Sequence, residues 1–322
     1  MKKIVSIAVA VLLLVSALTG CAGQSADVNI TAIAGPTGVG LVDLMQKQAD
    51  GETTNNYQFN VVSAPDQAVA AVVNGSADIA AVPTNLASTL YEKTQGKVQV
   101  LAVNTLGVLH ILTNGEEVAT VADMKGKTIY TSGKGANPEY ILKYVLEKNG
   151  IDPEKDVKIE YVADNDTLAT LVANGTAKVA MVPEPKASAV LMQKKEVKRV
   201  LNMTEEWKKV AGDESALMMG CVVARTDFVK QNPKAVKKFL KEYQASITAV
   251  TEDVEAAATL CETYKIIPKA PIAKAAIPNC GLTYVDGKEM KDQLSGYLTV
   301  LHGYNPAAIG GELPADAFYY GA

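Results

Sequence analysis

The chain of 322 residues is poor in the side chains on which most site chemistry depends. It has two histidines, one tryptophan and four cysteines. Only two of its 31 basic residues are arginines, Arg199 and Arg225. Arginine forks are the usual strong grip on sulfonate or phosphate, so a dianion is less favoured as a ligand. A net charge of −4 leaves no basic surplus from which to build a nucleic-acid-binding face. No Cys/His spacing suggests zinc, and the expectation is no metal and no cofactor. His110 lies inside the apolar run Val108–Leu112, where a strand histidine is the plain reading, and His302 stands alone. Nucleotide loops are missing too. Gly126-Lys127-Thr128 has Val121 where a phosphate loop needs glycine, and Gly38 and Gly40 are followed by Asp43 where a dinucleotide loop needs one. No Gly-x-Ser-x-Gly elbow and no His-Glu-x-x-His pair occur. Nothing requires an enzyme, and none is expected.

What is present is ample core material: 48% hydrophobic against 20% charged residues, enough for about two domains. Lys2 and Lys3 precede the uncharged stretch Ile4–Leu18, which is too short to span a bilayer as a stable helix. A basic start followed by a short apolar core reads as a secretory signal peptide, residues 1–20. It ends in Leu18-Thr19-Gly20-Cys21, which resembles a bacterial lipoprotein signal. Cys21 is thus the expected lipidation site, holding the protein to a membrane through acyl chains, with residues 21–27 as a tether. Without Lys2 and Lys3 the chain carries 29 basic and 35 acidic residues. Of the remaining cysteines, Cys261 and Cys280 are the candidate disulfide pair, because Cys221 sits in an apolar strand-like run; three buried free thiols are the alternative.

The most informative feature is a repeat. VVNGSADIAAVPTNLAS (Val72–Ser88) returns as VANGTAKVAMVPEPKAS (Val172–Ser188), offset by 100 positions. Each copy predicts a strand (Phe59–Val62; Ile159–Val162), a bend where Asp66 or Asp166 can cap, and a helix burying Val69, Val72 and Val73 or Leu168, Leu171 and Val172. An Asn-Gly stop and a second strand (Ile79–Val82; Val179–Val182), ended by proline, complete it. Each copy also has an entrance. Val28–Ala34 leads into GPTGVG (Gly35–Gly40), then a helix with Leu41, Leu44 and Met45. Thr128–Thr131 leads into SGKGANP (Ser132–Pro138), then a helix with Ile141, Leu142, Val145 and Leu146. Strand, Gly-rich loop, helix, strand, helix, strand is a parallel α/β pattern. The fold class expected is therefore α/β, with two similar lobes.

Val100–Thr113, broken at Asn104–Gly107, and Ala216–Ala224 read as two long strands entering and leaving the second copy, a two-strand hinge. The division expected is 28–108 with 222–322 as one lobe with C-terminal helices, and 109–221 as the other. Asn232-Pro233 opens a helix with Val236, Phe239, Leu240, Tyr243 and Ile247 on one face.

In open parallel α/β sheets, ligands bind beyond the carboxyl ends of the strands. The candidate ligand-binding residues are accordingly Thr37, Gly38, Val39, Asp66, Thr84 and Asn85 from the first copy, and Ser132, Lys134, Ala136, Asn137, Asp164 and Glu184 from the second. Hinge closure would bury a small molecule between them. Asp66 and Asp166 read equally as helix caps, and Glu184 and Lys134 as solvated loop charges. Helix ends with Lys134 could hold a monoanion, while Glu184 could accept from N–H groups of a heterocycle.

Ala122–Ala163, with VANGTAKVAMVPEPKAS and NPKAVKKFLKEYQASI (Asn232–Ile247), resembles the solute-binding proteins of ABC importers, in the subgroup that includes binders of sulfonates, taurine, nitrate and thiamine-pyrimidine precursors. The resemblance implies a type II periplasmic-binding-protein fold, an extracytoplasmic location, a small polar organic molecule or monoanion as solute, and a permease and ATPase as partners. A sensory lipoprotein of the same fold is the alternative. A pyrimidine-precursor synthase relative is a further one, although such synthases use a cysteine-rich motif that is absent here.

Overall fold

The computed structural model describes residues 25–322. The expected signal peptide, Cys21 and the start of the tether lie outside the described residues.

The first lobe is built on a six-stranded sheet. β1 (Asp27–Ile33), β2 (Asn56–Val62) and β3 (Ile79–Pro83) alternate with helices α1 (Pro36–Val39), α2 (Val42–Ala49), α3 (Pro65–Val73) and α4 (Thr84–Lys93), and then β4 (Val98–Thr105) follows. Three residues later β5 (Leu109–Asn114) begins a second sheet. There β6 (Thr128–Ser132), β7 (Lys158–Val162), β8 (Val179–Pro183) and β9 (Val197–Asn202) alternate with α5 (Asn137–Lys148), α6 (Asn165–Ala173) and α7 (Lys186–Gln193), and α8 (Met203–Ala211) closes the lobe. The chain returns through β10 (Gly220–Arg225). It ends in α9 (Thr226–Gln231), α10 (Pro233–Glu252), α11 (Val254–Thr263), α12 (Ala270–Ala276), edge strand β11 (Leu282–Val285) and α13 (Gly287–Tyr304). The strand orders are β11-β4-β10-β3-β1-β2 and β7-β6-β8-β5-β9. β3 is parallel to β1 and antiparallel to β10; β8 is parallel to β6 and antiparallel to β5.

The repeat is visible at atomic detail. Gly75 and Gly175 both have φ of +80°, the left-handed conformation that glycine tolerates. Asn74 Oδ1 accepts from Ser76 N and Asn174 Oδ1 from Thr176 N. The helix starts differ from expectation. Neither Asp66 nor Asp166 is the cap. Ala64 precedes α3, where Gln67 Oε1 takes up the Ser63 and Ala64 N–H groups, and Asp164 caps α6 through Thr167 N at 2.7 Å. Val73 faces solvent, 61% exposed, because the α3 stripe turns through Ala68, Ala71 and Val72 instead.

Helices cover both sheets, and the packed cores are largely aliphatic, the largest running through both lobes. The C-terminal helices reach across the lobes. Trp207 of α8 is fully buried against Tyr144 (4.3 Å between ring centroids) and Tyr297 of α13 (5.5 Å). Cys221, Cys261 and Cys280 are buried free thiols, so the 261–280 disulfide does not form. Burial pushes the Cys261 thiol up to about 12. Among the described residues no helix is long and apolar enough to cross a membrane.

Candidate ligand-binding cleft

Two segments cross between the sheets: Leu106–Val108 outward and Ser215–Met219 on the return. They are held by equivalent residues of the two copies. Thr84 N donates to Met219 O at 3.1 Å, and Glu184 N donates to Val108 O at 2.9 Å. Each residue directly follows the proline that ends its strand, so the same backbone position anchors the hinge in both lobes. The crossing also needs bare backbone. A Cβ on Gly107 would lie 2.4 Å from Thr204 Oγ1 and 2.5 Å from Leu217 Cδ2. One on Gly220 would lie 2.6 Å from Thr37 Cγ2.

The entrance loops lie at the interface that this hinge creates. Asn137, in the first turn of α5, donates from Nδ2 to Asn85 Oδ1, in the first turn of α4, at 3.0 Å. That bond joins the lobes where carboxyl-terminal strand ends meet. Thr37 stands over the hinge at Gly220, with its carbonyl oxygen fixed by Asn104 Nδ2 at 3.0 Å. Ser132 is nearly buried, and its hydroxyl donates to Asn165 Oδ1 at 2.6 Å. Lys134 is exposed, with Nζ 5.6 Å above the Tyr161 ring. Ala136 is the exposed N-cap of α5.

Four other candidates are committed elsewhere. Val39 is wholly buried in the core of the first lobe, so its side chain cannot line a cleft. Gly38 packs against Ile33 O and Ile266, close enough to exclude a Cβ. Thr84 is fully buried and donates its hydroxyl to Met218 O at 2.6 Å, which makes it a hinge residue. Asp164 is spent on the α6 cap, whose backbone N–H from Thr167 holds its carboxyl below the usual range. Asp66 is exposed in the first turn of α3.

Glu184 departs furthest from a solvated loop charge. Its side chain is completely buried, bonded to Ser188 N and Oγ and ion-paired with Arg199. Burial pushes its carboxyl up, while Arg199 and Ser188 pull the other way. His110 Nε2 lies 3.8 Å from Glu184 Oε1 and 3.0 Å from Asn279 O. Burial, reinforced by Arg199, lowers the His110 pKa to about 4, so the ring is neutral at pH 7, with Nε2 the donor to Asn279 O. Ser188 Oγ also reaches Ala275 O at 3.1 Å. The cluster therefore seals the second lobe against the 275–280 segment of the first. Sequence reading missed Arg199, although it stands two residues from buried Val197 and so shares that face of β9. An arginine on a buried face demands an acid partner, and that signal was available.

On the opposite flank Tyr140 stacks on Tyr304 (5.8 Å, 13°), and Asn305 Nδ2 donates to Tyr140 Oη at 2.9 Å. A separate cavity of about 300 Å³ is bounded by both crossing segments, α8, β11 and α13, and none of the candidate residues lines it.

A sequence model of the family described as NMT1/THI5 like matches residues 58–257. The chain belongs to the NMT1/THI5-like family. A protein of Bacillus subtilis (strain 168), named YtlA as a candidate binding protein, is 26% identical over 192 residues, 58% of this chain. That match spans 54% of YtlA, about half its length. Among solved structures, an ABC transporter protein from Parabacteroides distasonis superposes with a TM-score of 0.78 at 20% identity, covering 92% of this chain and 99% of that one. The periplasmic aliphatic sulphonate binding protein SsuA from Escherichia coli gives 0.71 at 15% identity, covering 92% of each. The periplasmic nitrate-binding protein NrtA from Synechocystis PCC 6803 gives 0.56 at 17%, covering 88% of this chain and 83% of that one. The fold of this family member is that of type II periplasmic binding proteins.

Proposed function

We propose that this NMT1/THI5-like protein is the solute-binding component of an ABC importer. It captures a small molecule between its lobes and presents it to a membrane permease that is driven by an ATPase. The observation that carries this reading is the Asn137–Asn85 bond. It brings the first turns of two helices from opposite lobes within contact, at strand carboxyl ends, around a hinge anchored alike on both sides. Such a site buries its guest by rotation of one lobe on the other. The role is binding rather than catalysis. Glu184 and His110, which could serve as an acid–base pair, are sealed in the lobe junction. The location that goes with this role is extracytoplasmic, with a lipid anchor at Cys21 following removal of residues 1–20.

The test is native mass spectrometry of the purified protein, combined with thermal melting against pyrimidines, sulfonates, amino acids and nitrate. A ligand specific to the folded state raises Tm by mass action. The expected result is a bound mass or a saturable Tm rise. A folded, homogeneous protein with neither overturns the proposal.

A further inference from the structure

The chain is acidic in sum, yet one helix gathers a local basic surplus. Lys234, Lys237, Lys238 and Lys241 lie three or four positions from one another in α10, so they form a single stripe. Lys230, at the end of α9, stands just before it. The opposite face of α10 is committed to the core through Val236, Phe239 and Tyr243. Four of these five lysines are exposed, and Lys238 is half-buried with Nζ donating to Thr54 O at 3.3 Å. Among the described residues none of the five is ion-paired. Acids border the stripe without entering it. Glu242 turns inward to Thr54 N (2.6 Å) and Tyr57 Oη, and Asp227 pairs with Arg225 at 3.1 Å. Asp27, Asp50 and Glu52 belong to the start of β1 and the loop before Thr54. Such a row is unfavourable on its own terms. Like charges at these spacings repel. Lys234 also sits in a first turn that holds no acid, at the positive end of the helix dipole. An anionic surface relieves both penalties.

The place of the row on the fold points to the surface it meets. Asn55 Nδ2 donates to Ala235 O at 3.0 Å, and the next residue, Asn56, donates its backbone N–H to Ala26 O at 2.9 Å. The basic half of α10 therefore stands beside the start of β1, where the chain arrives from Cys21. The residues from Cys21 to Asp27 reach at most about 20 Å, so an anchor at Cys21 holds this end of the first lobe close to lipid. Both β1 and α10 run from there toward the cleft. Ser246, on the far half of α10, donates to Gly40 O of the entrance loop at 2.7 Å.

We infer that the lysine stripe from Lys230 to Lys241 is an electrostatic docking face for an anionic phospholipid bilayer. This rests on the anchored-receptor reading above and adds an orientation to it. The start of β1 lies against the headgroups, and the cleft points away from them, open to solute. The rest of the surface, acidic in sum, is repelled by the same bilayer, so both effects turn the protein the same way. Screening limits the attraction to about 10 Å, and the short tether holds the face within reach of it.

The experiment sediments the chain from residue 21 onward, with Cys21→Ser, which contains every described residue. The vesicles are phosphatidylcholine alone, or phosphatidylcholine mixed equally with phosphatidylglycerol. The expected result is binding to the mixed vesicles only, at about 20 mM NaCl, with release by about 500 mM. Lys234→Gln combined with Lys237→Gln and Lys241→Gln should weaken that binding at least about tenfold, with Tm unchanged or raised. Lys194→Gln combined with Lys195→Gln and Lys198→Gln removes the same charge from the second lobe. It should leave binding within about twofold of the parent. Equal loss in the two triple variants, or no preference for phosphatidylglycerol, overturns the inference. Neither arm involves solute or the lipid at Cys21, so such a result leaves the receptor reading standing.

Discussion

Thr84 and Glu184 occupy the same position in the two copies of the repeat, and each donates its backbone N–H to one of the two segments that cross between the lobes. Their side chains have diverged. Thr84 reinforces the hinge through Met218 O, whereas Glu184 turns into its own lobe to meet Arg199 and Ser188. A duplicated anchor has thus kept its backbone role and been given a different interior partner in each half.

The Glu184–Arg199 pair follows the rule that breaking a buried ion pair costs more than the pair itself contributes. Arg199→Met strands a fully buried carboxylate. Because the Arg199 side chain retains 21% exposure, the loss is set at the low end, about 3 kcal/mol. The double variant Glu184→Leu with Arg199→Met should recover most of that. Urea denaturation of the three proteins checks this. Equal stability of the single variant and the parent would show that the pair is not buried.

His110 sets a pH dependence. Its folded pKa of about 4 lies below its ordinary 6.5, so between these values the unfolded chain takes up a proton that the folded chain refuses. Its contribution is fully present above about pH 6.5 and is lost as the pH falls toward 4, by up to about 3 kcal/mol. Glu184, with its raised pKa, acts in the opposite sense, gaining its proton first in the folded state as pH falls. Unfolding free energies from pH 4 to 7 should show a steeper acid loss in the parent than in His110→Asn. Parallel curves would mean that His110 is not buried in its neutral form.

The scaffold was legible because its signals are local. Period-2 and period-3.6 apolar patterns, the Asn-Gly stops and the strand-ending prolines each act within a few residues, and both copies adopt the same turns at Gly75 and Gly175. The site was legible only in outline. Asn137 and Asn85 meet at the facing loops, but Glu184, expected as a ligand contact or a solvated loop charge, is instead drawn into its own lobe by a partner on β9, outside the repeat. Val39 was read as cleft because GPTGVG looks like an open loop. In fact α1 forms inside it and turns Val39 into the core. Pairings between distant segments leave no periodic trace in the sequence.

The three described cysteines should be silent in the folded protein. Each is 0% exposed, and burial raises its thiol pKa far above neutrality, which withholds the reactive thiolate. In a Cys21→Ser chain, Ellman's reagent should label no thiol before denaturation and three after it. Dithiothreitol should leave Tm unchanged. A Tm drop on reduction would indicate a disulfide that the structure excludes.

The crossing points make the sharpest demand on side-chain size. At Gly107 a methyl would stand 2.4 Å from Thr204 Oγ1, and at Gly220 it would meet Thr37, Asn104 and Thr105 all within 2.9 Å. No flexible side-chain end is free to yield at Gly220, because Asn104 is itself bonded to Thr37 O and Tyr243 Oη. Overpacking of this kind costs about 1–3 kcal/mol, so Gly107→Ala and Gly220→Ala should each lower Tm by several degrees. Gly220→Ala should also weaken ligand binding, since Thr37 would move. Gly303 is the contrasting case: it lies exposed within α13, with nothing within 4 Å of its would-be Cβ. There alanine removes only backbone freedom from the unfolded chain, and Gly303→Ala should stabilise by about 0.5–1 kcal/mol. If Gly220→Ala melted with the parent, the crossing segments would have room that this packing denies them.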